Sequence, residues 1–110
     1  MIESKVAVRY ALANGKEPYT EWLNKLKDQV ARARIRVQVD RLELGHIRGT
    51  KSLGDGLFEL KMKFGPGYRV YYGYDGHNLI VLLAGGDKDS QSKDIKMAKE
   101  FWNDYKKTKK

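Results

Sequence analysis

The stretch Phe58–Tyr72, FELKMKFGPGYRVYY, decides the fold because it has the pattern of a β-hairpin. On its first arm apolar and charged residues alternate, which is the period of two expected of a half-buried strand. The segment Gly65–Gly67, GPG, predicts the turn, since proline presets φ and glycine accepts a positive φ without steric cost. A loop made of this segment would place Phe64 opposite Tyr68.

This register gathers basic side chains on one face of the hairpin. Lys63 falls opposite Arg69, and Lys61 falls opposite Tyr71. Like charges directly across a strand pair destabilise it by roughly 0.2–1 kcal/mol, so the pattern indicates an anion bound between them, with phosphate the obvious candidate. The alternative is that Lys61 and Lys63 are only the solvated face of an amphipathic strand.

The chain before the hairpin predicts one strand and two helices. Residues 5–10 alternate apolar and polar side chains, as a strand does. Glu17 and Pro18 begin a helix, whose apolar positions are Trp22, Leu23, Leu26 and Val30. A second helix ends near Gly45, and its apolar stripe consists of Ile35, Val39 and Leu42.

Further strands are predicted on either side of the hairpin. Residues 50–53 have the pattern of a short strand within a loop, and Asp75-Gly76 is a pair favoured in two-residue hairpin turns. The apolar run LIVLLA, residues 79–84, predicts a central strand covered on both faces. Gly85-Gly86 predicts a turn that ends this strand.

The C-terminal segment predicts a last helix and a basic tail. Ser90 or Ser92 begins the helix, and its apolar positions are Ile95, Ala98, Trp102 and Tyr105. Residues 106–110 are expected to fray. The predicted order is β-α-α-β-β-β-α, a small single-domain α+β fold with helices packed on one largely antiparallel sheet. The domain is expected to comprise residues 1–105, followed by the tail at 106–110.

Composition narrows the class of protein. The chain has 110 residues and no cysteine, which excludes disulfides and cysteine-ligated zinc. Its start lacks the pattern of a secretory signal, and no apolar run approaches the roughly 20 residues of a membrane span, so we expect a cytoplasmic protein without a membrane partner. Lys and Arg number 22 against 14 Asp and Glu, a net charge of +8. This excess favours nucleic acid or an acidic protein as partner, although it would also serve solubility alone.

Few residues carry the pattern of a known catalytic site. No His, Asp or Glu spacing matches a metal site, and no serine has triad partners, so neither a metal nor a cofactor is expected. His46 and His77 lie in predicted loops and are interpreted as surface residues. What remains is a basic and aromatic set, namely Lys61, Lys63, Arg69, Tyr71 and Lys88.

Such a set is sufficient for RNA cleavage. The 2′-hydroxyl of RNA supplies the nucleophile, so a lysine that acts as base and an arginine that neutralises the phosphorane can promote transesterification without a metal. A tyrosine can stack on a base or take part in proton transfer. The set therefore predicts a metal-independent endoribonuclease as one candidate function.

The sequence resembles the RelE/ParE superfamily of bacterial toxins from type II toxin–antitoxin modules, and most closely the HigB-like, phage-derived addiction module killer proteins. Three parts of the chain carry the resemblance: the helical pair that ends near Gly45, the segment GLFELKMKFGPGYRVYY from Gly56 to Tyr72, and the segment LIVLLAGGDKDSQSKDIKMAKEFW from Leu79 to Trp102. The resemblance implies a RelE-like fold. As in RelE-like members, it also implies cleavage of mRNA in the ribosomal A site and inhibition of translation.

The resemblance further implies a set of site residues. Basic residues on the strand before the GYR turn, the arginine of GYR and a basic residue after the last strand are the expected catalytic residues, here Lys61, Lys63, Arg69 and Lys88. The residues expected to contact the RNA are Tyr71, Tyr72 and Asp94. Asp94 stands where RelE has a tyrosine. Its alternative role is to favour the N-terminal turn of its helix through the helix dipole.

Two other functions stay open at the level of sequence. ParE-like members of the superfamily inhibit DNA gyrase without cleaving RNA, and a basic nucleic-acid-binding module without catalysis would also account for the charge. A toxin, whether it cleaves mRNA or inhibits gyrase, implies a cognate antitoxin. This antitoxin is expected to be a helix-turn-helix protein encoded by an adjacent gene. The RelE-like function implies the ribosome and mRNA as further partners.

Overall fold

In the computed structural model, which describes residues 4–109, three helices pack on a five-stranded sheet. In chain order the elements are β1 (Val6–Arg9), α1 (Pro18–Lys25), α2 (Gln29–Glu43), β2 (Thr50–Gly54), β3 (Leu57–Lys61), β4 (Arg69–Asp75), β5 (Leu79–Gly86) and α3 (Gln91–Thr108). The strands lie in the order β1-β5-β4-β3-β2, with β1 parallel to β5 and the other pairs antiparallel. The α+β class and the largely antiparallel sheet are confirmed. The predicted order lacks one strand, β2, which the sequence pattern placed inside a loop.

Strand β5 is the centre of the fold because helices cover both of its faces. Ile80 and Leu82 belong to a core with α1 and α2, whereas Val81 and Leu83 belong to a second core with α3. All four side chains are buried. Such a strand requires an uninterrupted apolar run, so the prediction of a central strand covered on both sides is confirmed.

Gly85 and Gly86 lie inside β5, so the predicted turn at these two residues is wrong. A Cβ at Gly85 would lie 2.1 Å from the indole of Trp22, and a Cβ at Gly86 would lie 1.7 Å from the carboxylate of Asp94. Trp22 belongs to α1 and Asp94 to α3. The two glycines therefore allow both helices to approach the strand closely, and this is the physical reason for the pair.

The boundary between the first two helices lies at Asp28. Helix α1 ends at Lys25, and Asp28 caps α2 by accepting a hydrogen bond from the N–H of Ala31 at 3.1 Å. The carboxylate satisfies a backbone donor that the helix itself leaves unpaired. Val30 is therefore an exposed residue of α2, and its predicted place in the apolar stripe of the first helix is wrong.

The hairpin of β3 and β4 has a different register from the predicted one. Lys61, instead of Lys63, pairs with Arg69, a shift of two residues. A shift by an even number keeps each side chain on its predicted face. Phe64 leaves the strand and lies against Arg34, whose guanidinium is 4.0 Å from the ring centroid. The connection between the strands is therefore longer than the GPG segment, and Lys63 lies in it.

Helix α3 continues further than predicted, to Thr108. The hydroxyl of Tyr105 donates a hydrogen bond to Asp75 at 2.6 Å, and the ammonium of Lys109 contacts the same carboxylate. These contacts join the end of the helix to the end of β4, so residues 106–108 are helical rather than frayed. Lys110 and residues 1–3 lie outside the described residues. No helix within residues 4–109 is long and apolar enough to cross a membrane.

We expect Gly85→Ala to destabilise the protein by about 1–3 kcal/mol, because the added methyl group overpacks the contact between β5 and Trp22. Urea unfolding followed by circular dichroism measures the loss. In a Trp22→Ala background the same substitution should cost little, since the indole that the methyl group meets is absent. An equal cost in both backgrounds would contradict this account of the glycine.

Deprotonation of Tyr10 is expected to lower the stability of the fold at alkaline pH. Its hydroxyl donates to the carboxylate of Asp104 at 2.6 Å, and burial together with Asp104 raises the pKa of Tyr10 to about 12. The pKa of a tyrosine in an unfolded chain is about 10. The contribution of the protonated Tyr10 hydroxyl to the free energy of unfolding is therefore complete below pH ~10, and it is lost as the pH rises through the pKa of Tyr10 in the folded protein. Urea unfolding between these two pH values should show a shallower loss for Tyr10→Phe than for wild type. Parallel pH profiles for the two proteins would argue against it.

Candidate nucleic-acid interface

Basic residues of β3, of β4 and of the segment after β5 meet at one end of the sheet. Lys61, the last residue of β3, pairs with Arg69, the first residue of β4, and Arg69 pairs in turn with Gly86 at the end of β5. The N–H of Lys88 donates to the carbonyl oxygen of Pro66 in the hairpin loop at 3.4 Å. The structure thus brings three of the four expected catalytic residues to one edge and leaves the fourth, Lys63, in the adjoining loop.

Arg69 differs from the three lysines in its burial. Only 5% of the surface of Arg69 is accessible to solvent, whereas the three lysines are exposed. Its Nε lies 3.9 Å from Oε2 of Glu59, which is also buried. A buried guanidinium requires a counter-charge, and the protein supplies it from its own carboxylate. The expectation of a phosphate held between the lysines and Arg69 is therefore corrected: the anion beside Arg69 is Glu59.

Arg69 and Glu59 lie at the centre of a hydrogen-bond network. Nη1 of Arg69 donates to the carbonyl oxygen of Gly67 at 2.8 Å, and Nε2 of Gln91 donates to Oε2 of Glu59 at 2.9 Å. These bonds join the hairpin loop, β3, β4 and the first turn of α3. The loop that carries Lys63 is thus hydrogen-bonded, through the carbonyl oxygen of Gly67, to a charge pair beneath the surface.

Tyr71 and Tyr72 are fully buried, on opposite faces of β4. Their hydroxyls have no hydrogen-bond partner within residues 4–109. Burial raises the pKa of both hydroxyls well above the ordinary value, and for Tyr71 the charges of Glu59 and Asp94 raise it further. Neither ring is open to a nucleobase, so the expectation that Tyr71 and Tyr72 contact RNA is corrected.

Asp94 lies in the first turn of α3, half-buried beneath the end of β5. Its carboxylate accepts a hydrogen bond from the hydroxyl of Ser90 at 2.5 Å and fills the space that a side chain at Gly86 would need. Ser90 is the N-cap residue, as one of the two sequence alternatives predicts, but its hydroxyl bonds to Asp94 and not to the backbone of α3. This geometry favours the role of Asp94 at the helix start over direct contact with RNA.

An open groove beside Lys61 and Lys63 collects further cations, and we call it the cationic groove. It encloses about 700 Å³, and its charged or titratable lining residues are Arg34, Arg41, His46, Arg48, Lys61 and Lys63. Within the described part of the chain its lining includes no carboxylate, and none of its cations forms an ion pair. A bound polyanion would relieve the repulsion among these charges. The groove is therefore better suited than Arg69 to hold a phosphate backbone.

Four of these six lining residues are not apparent as site residues from the sequence, because α2 and the loop after it contribute them. The guanidinium of Arg34 lies over Phe64 at cation–π distance, which joins α2 to the hairpin loop. The available sequence signal is the series of arginines that lie off the apolar stripe of α2, namely Arg32, Arg34, Arg36 and Arg41. Only the fold shows which of them face the hairpin.

The two histidines differ in their surroundings. His46 lines the cationic groove, whereas His77 lies in the turn between β4 and β5. No group of three or more His, Asp or Glu side chains among residues 4–109 is placed to hold a metal ion. His46, interpreted from the sequence as an ordinary surface residue, is therefore the histidine that can reach a polyanion in the groove.

We expect Arg69→Ala to destabilise the protein by about 3 kcal/mol or more, because it leaves the Glu59 carboxylate buried without its counter-charge. Urea unfolding measures the effect. The matched control is Arg48→Ala, which removes an exposed arginine of the same region and should change stability by no more than about 0.5 kcal/mol. If Arg69→Ala is as stable as the control, the buried pair has no structural role.

Comparison with known proteins identifies the family. Residues 21–103 match the family described as phage derived protein Gp49-like, which is most of the chain. A protein of Haemophilus influenzae, described as uncharacterized, is 47% identical over 81 residues, which cover 74% of this chain and 82% of the relative. Both the cationic groove and the buried Arg69–Glu59 pair lie within the matched range. The chain belongs to the Gp49-like family of phage-derived proteins, a family of type II toxins of the addiction module killer type.

Proposed function

We propose that the protein is the toxin of a type II toxin–antitoxin module and that it cleaves mRNA on the ribosome, which inhibits translation until a cognate antitoxin neutralises it. Membership of the Gp49-like family supports the toxin role and implies the antitoxin. The resemblance of the sequence to RelE-like and HigB-like toxins supports the ribosome and mRNA as partners.

The observation that carries the proposal is the cationic groove. Its lining brings together five Lys and Arg side chains and a histidine, with no carboxylate among the described lining residues. The groove is open on one side, so an extended strand of RNA can enter it without unfolding the protein. Contacts from surface lysines and arginines to phosphates are the usual source of affinity for single-stranded nucleic acid.

The chemistry that we propose is an internal transesterification. The 2′-oxygen of a ribose forms a bond to the adjacent phosphorus while the bond from phosphorus to the 5′-oxygen breaks. The proton of the 2′-hydroxyl passes to a base, and an acid gives a proton to the departing 5′-oxygen. The products are a 2′,3′-cyclic phosphate and a 5′-hydroxyl end, and the step uses no cofactor.

The exposed cations take the roles nearest to the phosphate. Lys61 and Lys63 line the groove, where their ammonium groups can neutralise the charge that develops on the phosphorane. Lys88, beside the hairpin loop, extends the same positive edge. His46 is the proposed proton-transfer group, because it lines the groove and an imidazole can both accept and donate a proton. Arg69, which is buried, is proposed to have a positioning role: it holds the loop between β3 and β4 in place through its hydrogen bond to Gly67.

Induced expression in cells tests the proposal. We expect growth arrest accompanied by mRNA cuts that require translation, detected by primer extension on an abundant message. Lys61→Ala and Lys63→Ala should each reduce cleavage by about 10-fold or more, because each removes a charge that stabilises the transition state. The matched control is Lys96→Ala, which removes an exposed lysine of α3 away from the groove and should cleave normally.

A reconstituted assay with purified ribosomes resolves the role of the histidine. His46→Gln should cleave about 100-fold more slowly than wild type or worse, because it removes the proposed proton-transfer group. Intact messages together with a DNA-damage response would contradict the proposal and favour inhibition of DNA gyrase. Salt-sensitive RNA binding without growth arrest would contradict it in favour of a binding module without catalysis.

A further inference from the structure

The outer face of α2 is apolar although no part of the described chain covers it. Val30 is 68% exposed, Val37 is 47% exposed and Leu44, just after the helix, is 51% exposed. Together with the exposed Ala33 these residues follow one side of the helix, opposite the buried Ile35 and Val39. We call Val30, Ala33, Val37 and Leu44 the α2 outer face. A helix that is apolar on both sides is expected where a second partner covers the outer side.

Arginines border this face on the side of the cationic groove. A shallow depression of about 560 Å³ runs along it, lined by Val30, Ala33 and Val37 together with Arg34, Arg41 and two glutamines. No acidic residue of the described chain lines the depression. A partner that matches it must therefore combine apolar side chains with carboxylates.

The face is continuous with the cationic groove. Arg34, Gln38 and Arg41 line both the depression and the groove. A segment that lies along α2 and pairs with these arginines would occupy the edge of the groove beside Lys61 and Lys63. Binding on the outer face would thus restrict access of RNA to the groove.

We propose that the α2 outer face is the docking surface for the cognate antitoxin, which covers it with an acidic amphipathic helix. Apolar residues of that helix contact Val30, Ala33 and Val37, and its carboxylates pair with Arg34 and Arg41. The spacing of the exposed apolar residues, at positions i, i+3 and i+7, is typical of two helices packed along each other. This inference rests on the proposed function, from which the identity of the partner is taken.

Other occupants fit the face less well. A second copy of this chain, docked symmetrically, would bring Arg34 and Arg41 against their own counterparts, and like charges at close range repel. RNA gains little from the valines, because aliphatic side chains offer no hydrogen bond to a phosphate or a base edge. An acidic helix with apolar positions satisfies both the valines and the arginines.

Calorimetric titration with the purified product of the adjacent antitoxin gene, in the absence of RNA, tests the proposal. The double variant Val30→Asp/Val37→Asp should bind that product about 30-fold more weakly or worse, because it places carboxylates against an acidic, apolar partner. The milder Val30→Ser/Val37→Ser variant should bind the antitoxin about 10-fold more weakly than wild type. It provides the test if the aspartate variant misfolds, which circular dichroism would reveal. This serine variant, which adds no charge one turn before Arg34 and Arg41, should remain toxic in cells and should be rescued less by the co-expressed antitoxin.

The matched control is Met97→Asp, which alters an apolar residue of α3 that is 39% exposed, on the face of the sheet opposite α2. Its affinity for the antitoxin should equal that of wild type. The proposal is overturned if folded double variants bind as tightly as the control, or if neither flanking gene encodes a product that binds wild type. It is also overturned if the variants lose RNA affinity but keep the antitoxin, or abolish a wild-type dimer seen by light scattering. Binding through this face by a protein that cleaves no RNA would sink only the proposed nuclease activity.

Discussion

The buried pair of Arg69 and Glu59 is the interaction on which the functional end of the molecule depends. Both residues are almost fully removed from water, and an isolated charge in that position would cost several kcal/mol. The proximity of the two charges and their hydrogen bonds to Gly67 and Gln91 offset part of this cost, while Nε of Arg69 has no hydrogen-bond partner within residues 4–109. The hairpin loop, two strands and the start of α3 are therefore coupled, because separating any one of them exposes or unpairs a charge.

Depth in the fold, and not residue type, decides what each cation can do. Arg69 is neutralised by Glu59 and adds little net charge at the surface, whereas the lysines of the loop and the strand end remain unpaired among the described residues. The groove beside them adds arginines from α2, so several positive side chains share one open surface. The same edge thus has a buried ion pair below it and exposed cations without counter-charges on its surface. That combination is suited to binding an anionic ligand.

Periodicity predicts much of this fold, because the hairpin faces, the central strand and the last helix each follow from a local pattern. Its failures have nonlocal causes. Gly85 and Gly86 have the pattern of a turn, but their role follows from Trp22 and Asp94, which approach from separate helices. The hairpin register differs from the local pattern because β3 ends at Lys61, and Phe64 lies beyond the strand, against Arg34. The arginines of the groove are visible in the sequence as a polar helix face, yet only the tertiary arrangement shows which of them face Lys61 and Lys63.

The two binding surfaces that we propose at α2 are expected to differ in their response to ionic strength, and this difference bears on how a toxin would be held inactive. The proposed affinity of the groove for RNA would come from exposed charges, whose interactions salt screens over about 8 Å at physiological ionic strength, so it would fall steeply as salt rises. Contact with the α2 outer face removes valine side chains from water, and that contribution does not depend on counterions. A partner that uses both the valines and Arg34 or Arg41 keeps most of its affinity under conditions that weaken RNA binding. The antitoxin would then keep the toxin neutralised in the cell even if its electrostatic attraction to the toxin were no stronger than that of RNA.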